Sequence, residues 1–375
     1  MNNQLHIISF NVPYPPDYGG VIDVYYKIMA LKEAGIKIHL HCYEYGRKPA
    51  EELNALCKSV NYYHREHNLR DFSSLKPFIV KSRRDSTLLK NLEDNKAPIL
   101  FEGLHTCYFL DAPSLKNRNK LVRMHNVEAD YYRALGSSEQ SMLRKFYFYT
   151  ESVKLRIFEK ILNKANHILP ISFNDFKHLD AKFDNVSYLP AFHPNEKCLS
   201  KAGKGNFILY HGNLSINENI QAAVWLAGKV FSKLNHHCVI AGSNPSPTLV
   251  KAIAPFKNID LVANPSESRM NELLAEAHVN ILPTFQQTGV KLKLLNALFK
   301  GRFVVVNPKM AESSGLMELC IVNEKSDEMI ASVNELMEKD FSTEELERRK
   351  NILEENYNNA NNALKLIQLL NEPTQ

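Results

Sequence analysis

Several side chains in this sequence are spaced for work on an anionic or hydroxylated ligand. His125 stands in "LVRMHNVEADYY" (121–132), where an apolar run ends and a helical pattern begins. A histidine there can take or give a proton near neutrality, or hydrogen-bond a hydroxyl or a phosphate. Glu102 and His105 follow the preceding apolar run, and Arg123 lies close by, so the three join His125 in an expected polar pocket. Gly19 and Gly20, in "YGG", sit between a strand pattern and a helical one. Without side chains, they let backbone N–H groups approach an anion at the positive end of the helix. In "TGVKLKLLNALFKGRFVVVN" (288–307), Gly289 leads into a helix with Lys291 and Lys293 in its first turn. Cations there oppose the helix dipole, and a bound anion removes the conflict. Residues two apart diverge around a helix, so only one of the two lysines is expected to face a ligand.

The elements that must hold these groups form two series. Strands are expected at 5–10, 36–43, 98–103, 119–125, 167–172 and 186–192, then at 206–212, 236–242, 258–264, 278–283 and 302–307. Helical patterns lie between them. In 19–35, Val21, Val24, Tyr25, Ile28 and Leu31 recur at helical spacing and Gly35 closes the run. In 289–300, Val290, Leu294, Leu295, Leu298 and Phe299 form one apolar stripe that Gly301 ends. Asn126 is the expected N-cap of the helix after His125. The polar, glycine-containing stretch 193–205 reads as a linker. Two alternating series mean an α/β protein with two doubly wound, Rossmann-like domains: 1–195, and 206–350 after the linker. Ligands of such sheets bind beyond the carboxyl ends of the strands, and nearly every expected strand runs into Gly, Asn, Ser, His or Glu. A ligand cleft between the two domains is the expectation.

Composition narrows the class. The 375 residues are 44% hydrophobic and 23% charged, as in a soluble globular protein. No apolar run is long enough to span a membrane and the N-terminus lacks the features of a signal peptide, so a cytoplasmic protein is expected. The six cysteines are scattered without a C-x-x-C pair, which points to neither a zinc site nor a disulfide framework. No D-x-D pair suggests a metal. The net charge of +5 comes from the first half, with Lys76, Lys81, Arg83, Arg84 and Lys90 concentrated in 75–90. That stretch reads as a solvated loop and helix start, with peripheral contact to anionic lipid as the alternative; the surplus is too modest, and too far from any recognition motif, for nucleic acid.

The "PYPPDYGG" start, "RMHNVE", "ILPIS" and "ILPTFQQTGVKLKLLNALFKGRFVVVN" together resemble glycosyltransferases of the GT-B fold, in the group related to the retaining family four enzymes. The resemblance spans most of the chain. It implies that the last segment, about 352–375, is a helix crossing back onto the first domain. It also implies a donor that is a nucleoside diphosphate sugar, with no further cofactor, and a glycan or lipid-linked acceptor held by the first domain. In that group the motif usually reads E-G-F-G-x-x-x-x-E-A-M; here Thr288 and Asn296 stand at the two glutamate positions. After the first strand of the second domain, "HGNLSINEN" (211–219) offers Gly212 and Asn213, with Asn217 or Glu218, where the group carries Arg and Lys. Lys293 matches a lysine of some relatives. The implied site is His125 and Glu102 for catalysis, with Gly19, Gly20, Gly212, Asn213, Thr288, Gly289, Lys293 and Asn296 for the donor. Retaining, metal-independent hexosyl transfer is the expected activity. The missing glutamates keep two other readings open: a catalytically silent sugar-nucleotide-binding relative or partner protein, and a sugar-nucleotide epimerase of the same fold.

Overall fold

The computed structural model describes residues 3–66, 68–285, 292–312 and 314–372. The chain divides into two compact units. One holds the chain up to Pro194 together with Tyr357 onward; the other runs from Asn195 to Asn356, with residues 286–291 outside the description.

The first unit is built on a six-stranded parallel sheet. Its strands are β1 (Gln4–Ser9), β2 (Lys37–Glu44), β3 (Ser59–His64), β4 (Ile99–Glu102), β5 (Lys120–Met124) and β6 (His167–Pro170), in the order β3-β2-β1-β4-β5-β6. Helices cover both faces, so the central strands are buried almost end to end, as apolar runs such as "LHII" require. The helix Gly19–Glu33 follows β1. It ends where Gly35, at φ +84°, lets its own N–H reach Lys32 O and the Ile36 N–H reach Leu31 O. That pair of bonds satisfies two terminal carbonyls and is open to glycine because the conformation is left-handed. The helix Asn359–Leu370 places Ala363, Leu366 and Leu370 in the same apolar cluster as Val24, Ile28 and Leu31. Each leucine buried there contributes roughly 1.5–3 kcal/mol.

The second unit repeats the plan. Strands β7 (Ile208–His211), β8 (Cys238–Gly242), β9 (Ile259–Ala263), β10 (Val279–Leu282), β11 (Phe303–Val306) and β12 (Ile321–Val322) lie in the order β12-β11-β10-β7-β8-β9, all parallel. The ends of β7 and β8 approach closely: a Cβ on Gly242 would stand 1.8 Å from Gly212 O, so only glycine fits. The helix Leu292–Lys300 buries Leu294, Leu295, Ala297, Leu298 and Phe299.

Both sheets match the α/β class expected, with four local differences. Residues 186–192 are not a strand. Val186 makes one bridge to Ile168, and the Leu189 and Pro190 carbonyls are taken by the Arg123 guanidinium instead of a neighbouring strand. β3 and the two-residue β12 are additional edge strands. The segment expected as one helix at about 352–375 is split: Thr343–Asn356 belongs to the second unit and Asn359–Leu370, capped by the Asn358 side chain, to the first. The helix after His125 begins at Glu128 behind Val127, not at an Asn126 cap.

Candidate functional site

In the first unit the carboxyl ends of β4 and β5 meet the buried side of the helix Gly19–Glu33. Glu102 and Arg123 are in register across β4 and β5, and His125 follows β5 by one residue. From the helix come Asp23 and Lys27, one turn apart. Asp23, Lys27, Glu102 and Arg123 are all fully buried, and His125 nearly so. Lys27 Nζ lies 2.8 Å from both Asp23 Oδ2 and Glu102 Oε1. Arg123 donates from Nη2 to Asp23 Oδ1 at 2.7 Å and from Nε to Oδ2 at 3.2 Å. The Phe192 N–H also donates to Asp23 Oδ1.

Two carboxylates and two cations thus compensate one another where unpaired charges would be prohibitive. Burial opposes ionisation of Asp23, but Arg123 and Lys27 outweigh it and hold the carboxyl well below the usual range. Glu102 is likewise held down, against burial, by Lys27 and His125. Asp23, Glu102 and His125 are close enough to share a metal ion. However, every carboxylate oxygen among them already faces Lys27, Arg123, His125 or the Phe192 N–H. A cation would have to displace those groups.

His125 is the one member of this cluster with any exposure, and that is slight. Its Nε2 is 2.8 Å from Glu102 Oε2, while Nδ1 is buried with no hydrogen-bond partner. With the carboxylate fixing the proton on Nε2, Nδ1 presents a lone pair. The Phe10 ring packs edge-on to His125 at 5.2 Å and tilts against His105 at 5.7 Å. Gly20 makes room for it, since a Cβ there would approach Phe10 Cζ to 2.7 Å; a Cβ on Gly19 would meet nothing.

Beside this dyad is a second polar group. Both Glu128 oxygens are buried, and His105 Nε2 is 3.4 Å from Oε2. Burial, then the Asp175 charge, pushes the Glu128 carboxyl up to about 8. Burial lifts Asp175 to about 6, and holds His105 well below its usual value with help from Arg83. At neutral pH this corner therefore offers a protonated carboxyl and a neutral imidazole.

In the second unit His211 ends β7, with both ring nitrogens buried. Burial, reinforced by the Lys293 charge, pushes it down to about 3. Lys293 projects from the helix Leu292–Lys300 over the Tyr210 ring and donates to Asn219 Oδ1 at 2.8 Å. Asn213 is tied into a turn: its Oδ1 accepts from the Ser215 N–H and Oγ, and its carbonyl from Asn219 Nδ2. Gly212 packs against the Asn219 side chain, where a Cβ would come within 3.2 Å. Asn296 accepts from Asn195 Nδ2 at 2.9 Å. Thr288, Gly289 and Lys291 lie outside the described residues.

Of the residues singled out in the sequence, the fold brings together Glu102, His125, Arg123 and His105 in the first unit, and Gly212, Asn213 and Lys293 in the second. Asp23, Lys27, Glu128 and Asp175 were not anticipated. The basic stretch 75–90 is a different matter: Lys81 and Arg84 pair with Asp71, Arg84 also with Glu66, and Arg83 is buried. Three of its five cations are thus held by the fold, while Lys90 is exposed.

Residues 205–339 match the family described as Glycosyl transferases group 1. The chain is 26% identical over 335 residues to an uncharacterised 44.6 kDa protein in the cps region of Klebsiella pneumoniae, covering 83% of this chain and 84% of that one. Among solved structures, HepE of Anabaena in complex with UDP and glucose superposes with a TM-score of 0.66 at 10% identity, over 98% of this chain and 99% of that one. A glycosyltransferase from Rickettsia africae gives 0.67 at 13% identity, over 98% of each chain. These likenesses establish a GT-B fold, two Rossmann-like units with the last helix returned to the first.

Proposed function

We propose that this chain is a glycosyltransferase that moves a sugar from a nucleoside diphosphate sugar to a glycan or lipid-linked acceptor in polysaccharide synthesis. The observation that carries the reading is the buried His125–Glu102 pair, with one imidazole nitrogen held by a carboxylate and the other unpartnered at the ends of two parallel strands. The match of the second unit to a glycosyltransferase family and the cps-region relative support the same class.

Glycosyl transfer passes through an oxocarbenium-like state while negative charge grows on the departing diphosphate. The second unit is assigned the nucleotide, with Lys293 and the open end of β7 at Gly212 as its anion-facing groups. Lys293 would exchange Asn219 for a phosphate oxygen, a stronger charge-assisted partner. Thr288 and Asn296, neutral where relatives carry glutamate, are assigned hydrogen bonds to sugar or ribose hydroxyls. The first unit is assigned the acceptor side, where His125 Nδ1 accepts from a hydroxyl and Glu102 steadies the positive charge that the ring gains. Transfer with retention of configuration, without a metal, is the reaction type proposed.

The test is a calorimetric titration of the full chain with nucleoside diphosphates and their sugars. Saturable binding of one diphosphate, tightened by its sugar, is expected. The absence of binding to every member of the panel would remove the proposal.

A further inference from the structure

The helix Met142–Phe158 is fixed on one side only. Inward, Leu155 and Glu151 are fully buried, Glu151 Oε2 accepts from the Phe78 N–H at 2.6 Å, and Ser152 Oγ donates to Ala129 O at 2.7 Å. Outward stand Met142, Phe146, Tyr149, Val153 and Ile157, within an arc of about 80° at 3.6 residues per turn. Phe146 is 71% exposed, Val153 61% and Ile157 64%. Away from the stripe, the loop before Phe78 packs against the half-buried side of the helix, with Phe72 on Tyr147. A continuous exposed apolar stripe of this length is not ordinary surface chemistry.

Cations border it. Lys145 and Arg156 flank one side of the stripe, Lys154 the other, and Arg144 and Lys160 are exposed near its ends. Lys154 and Arg156 are partly offset by Glu151, Asp130 and Glu159. For Arg144, Lys145 and Lys160 no acidic partner stands within ion-pair distance among the described residues. Long basic side chains beside an apolar stripe are the pattern of a helix lying in the plane of an anionic bilayer, with the ring and aliphatic groups below the headgroups and the charges at their level. No helix of the described residues is long and apolar enough to cross a membrane, so the helix would rest on the surface.

We propose that the outer face of the helix Met142–Phe158 docks on an anionic lipid bilayer. The inference goes beyond the assigned reaction and needs no donor or acceptor to be tested. The full chain is mixed with vesicles of phosphatidylcholine alone or with one-third phosphatidylglycerol, and pelleted. Binding is expected only to the anionic vesicles, weakening as salt rises because screening removes the electrostatic part. The double substitution Phe146→Ser with Val153→Ser should weaken partitioning about tenfold or more, and Arg144→Glu with Lys145→Glu should abolish the preference for anionic lipid. Because these side chains point outward, each variant should keep the parent melting temperature; if the apolar pair melts early it is replaced by Ile157→Ser, and if the charge pair does, by Lys160→Glu.

Failure of the parent chain to bind anionic vesicles, or binding unaltered by both double substitutions, overturns the proposal. So does a self-associated chain in sedimentation that the Phe146→Ser, Val153→Ser change splits into monomers without any vesicle binding, since the stripe would then be a homodimer face. Diphosphate calorimetry is independent of either result, so the two proposals fail separately.

Discussion

His125 Nε2 and Glu102 Oε2 lie 2.8 Å apart in a site that leaves neither residue more than slightly exposed. A carboxylate so placed fixes the imidazole proton on Nε2 and leaves Nδ1 for a ligand. His125→Ala should lower turnover about 10²-fold, the scale of a lost proton-transfer partner, and cost about 1–3 kcal/mol in urea stability because buried Glu102 Oε2 loses its partner. Glu102→Gln should lower turnover and also destabilise, because Lys27 loses one of its two carboxylates. Comparing turnover per folded molecule with the unfolding midpoint separates the two effects; early melting of His125→Ala with normal specific activity would make that residue structural.

Asp23 carries the heaviest load in the buried cluster, since Lys27, Arg123 and the Phe192 N–H all rely on it. Asp23→Ala should cost about 3–5 kcal/mol, the range for removing one partner of a buried pair. Denaturant titration measures it, and a loss under about 1 kcal/mol would mean that water enters and solvates the stranded cations.

Two groups give stability opposite slopes with pH. Burial holds His6 near 4 in the fold against an ordinary 6.5, so the unfolded chain binds its proton first. Its contribution is full above pH 6.5 and is lost as pH falls from 6.5 to about 4. Glu128 runs the other way: raised from 4.5 to about 8, it favours the fold below pH 4.5 and loses that advantage as pH rises through 8. Glu128→Gln should therefore raise the melting temperature at pH 8 and leave it nearly unchanged at pH 4.5. Equal shifts at both values would show that Glu128 is ionised in the fold or solvated.

Lys293→Met keeps the aliphatic stem over Tyr210 and removes the charge. It should weaken nucleoside diphosphate binding by roughly 1.5–3 kcal/mol, as for a hydrogen bond to a charged group, with little change in melting temperature. Unchanged affinity in calorimetry would place the diphosphate elsewhere. Transfer by the parent chain should also survive a chelator, because no oxygen of Asp23 or Glu102 is left facing open space.

The sheets were readable because buried parallel strands are short continuous apolar runs between polar turns. β3, "SVNYYH", was missed because it lies at the sheet edge and is only half-buried. The expected strand at 186–192 failed for a tertiary reason: its carbonyls serve Arg123, which no local pattern discloses. His125 and Glu102 were legible as polar residues at strand ends. Asp23 and Lys27 were not, because opposite charges one turn apart are what a solvated helix also carries. Glu128 in a first turn reads as an ordinary complement to the helix dipole. The stripe on Met142–Phe158 escaped because "MLRKFYFYTESVKLRIF" has apolar residues on both its inner and its outer side, and only the fold tells them apart.

The measurement that bears most directly on the assigned function follows each nucleotide sugar by mass spectrometry after incubation with the parent chain and with His125→Ala. For one donor, the parent should release the nucleoside diphosphate, slowly to water and faster with a glycan or lipid-linked acceptor, and His125→Ala should slow both. A donor that binds but stays intact, or that returns as an isomeric nucleotide sugar with no diphosphate released, would contradict the assignment: the first outcome makes the chain a silent binder, the second an epimerase.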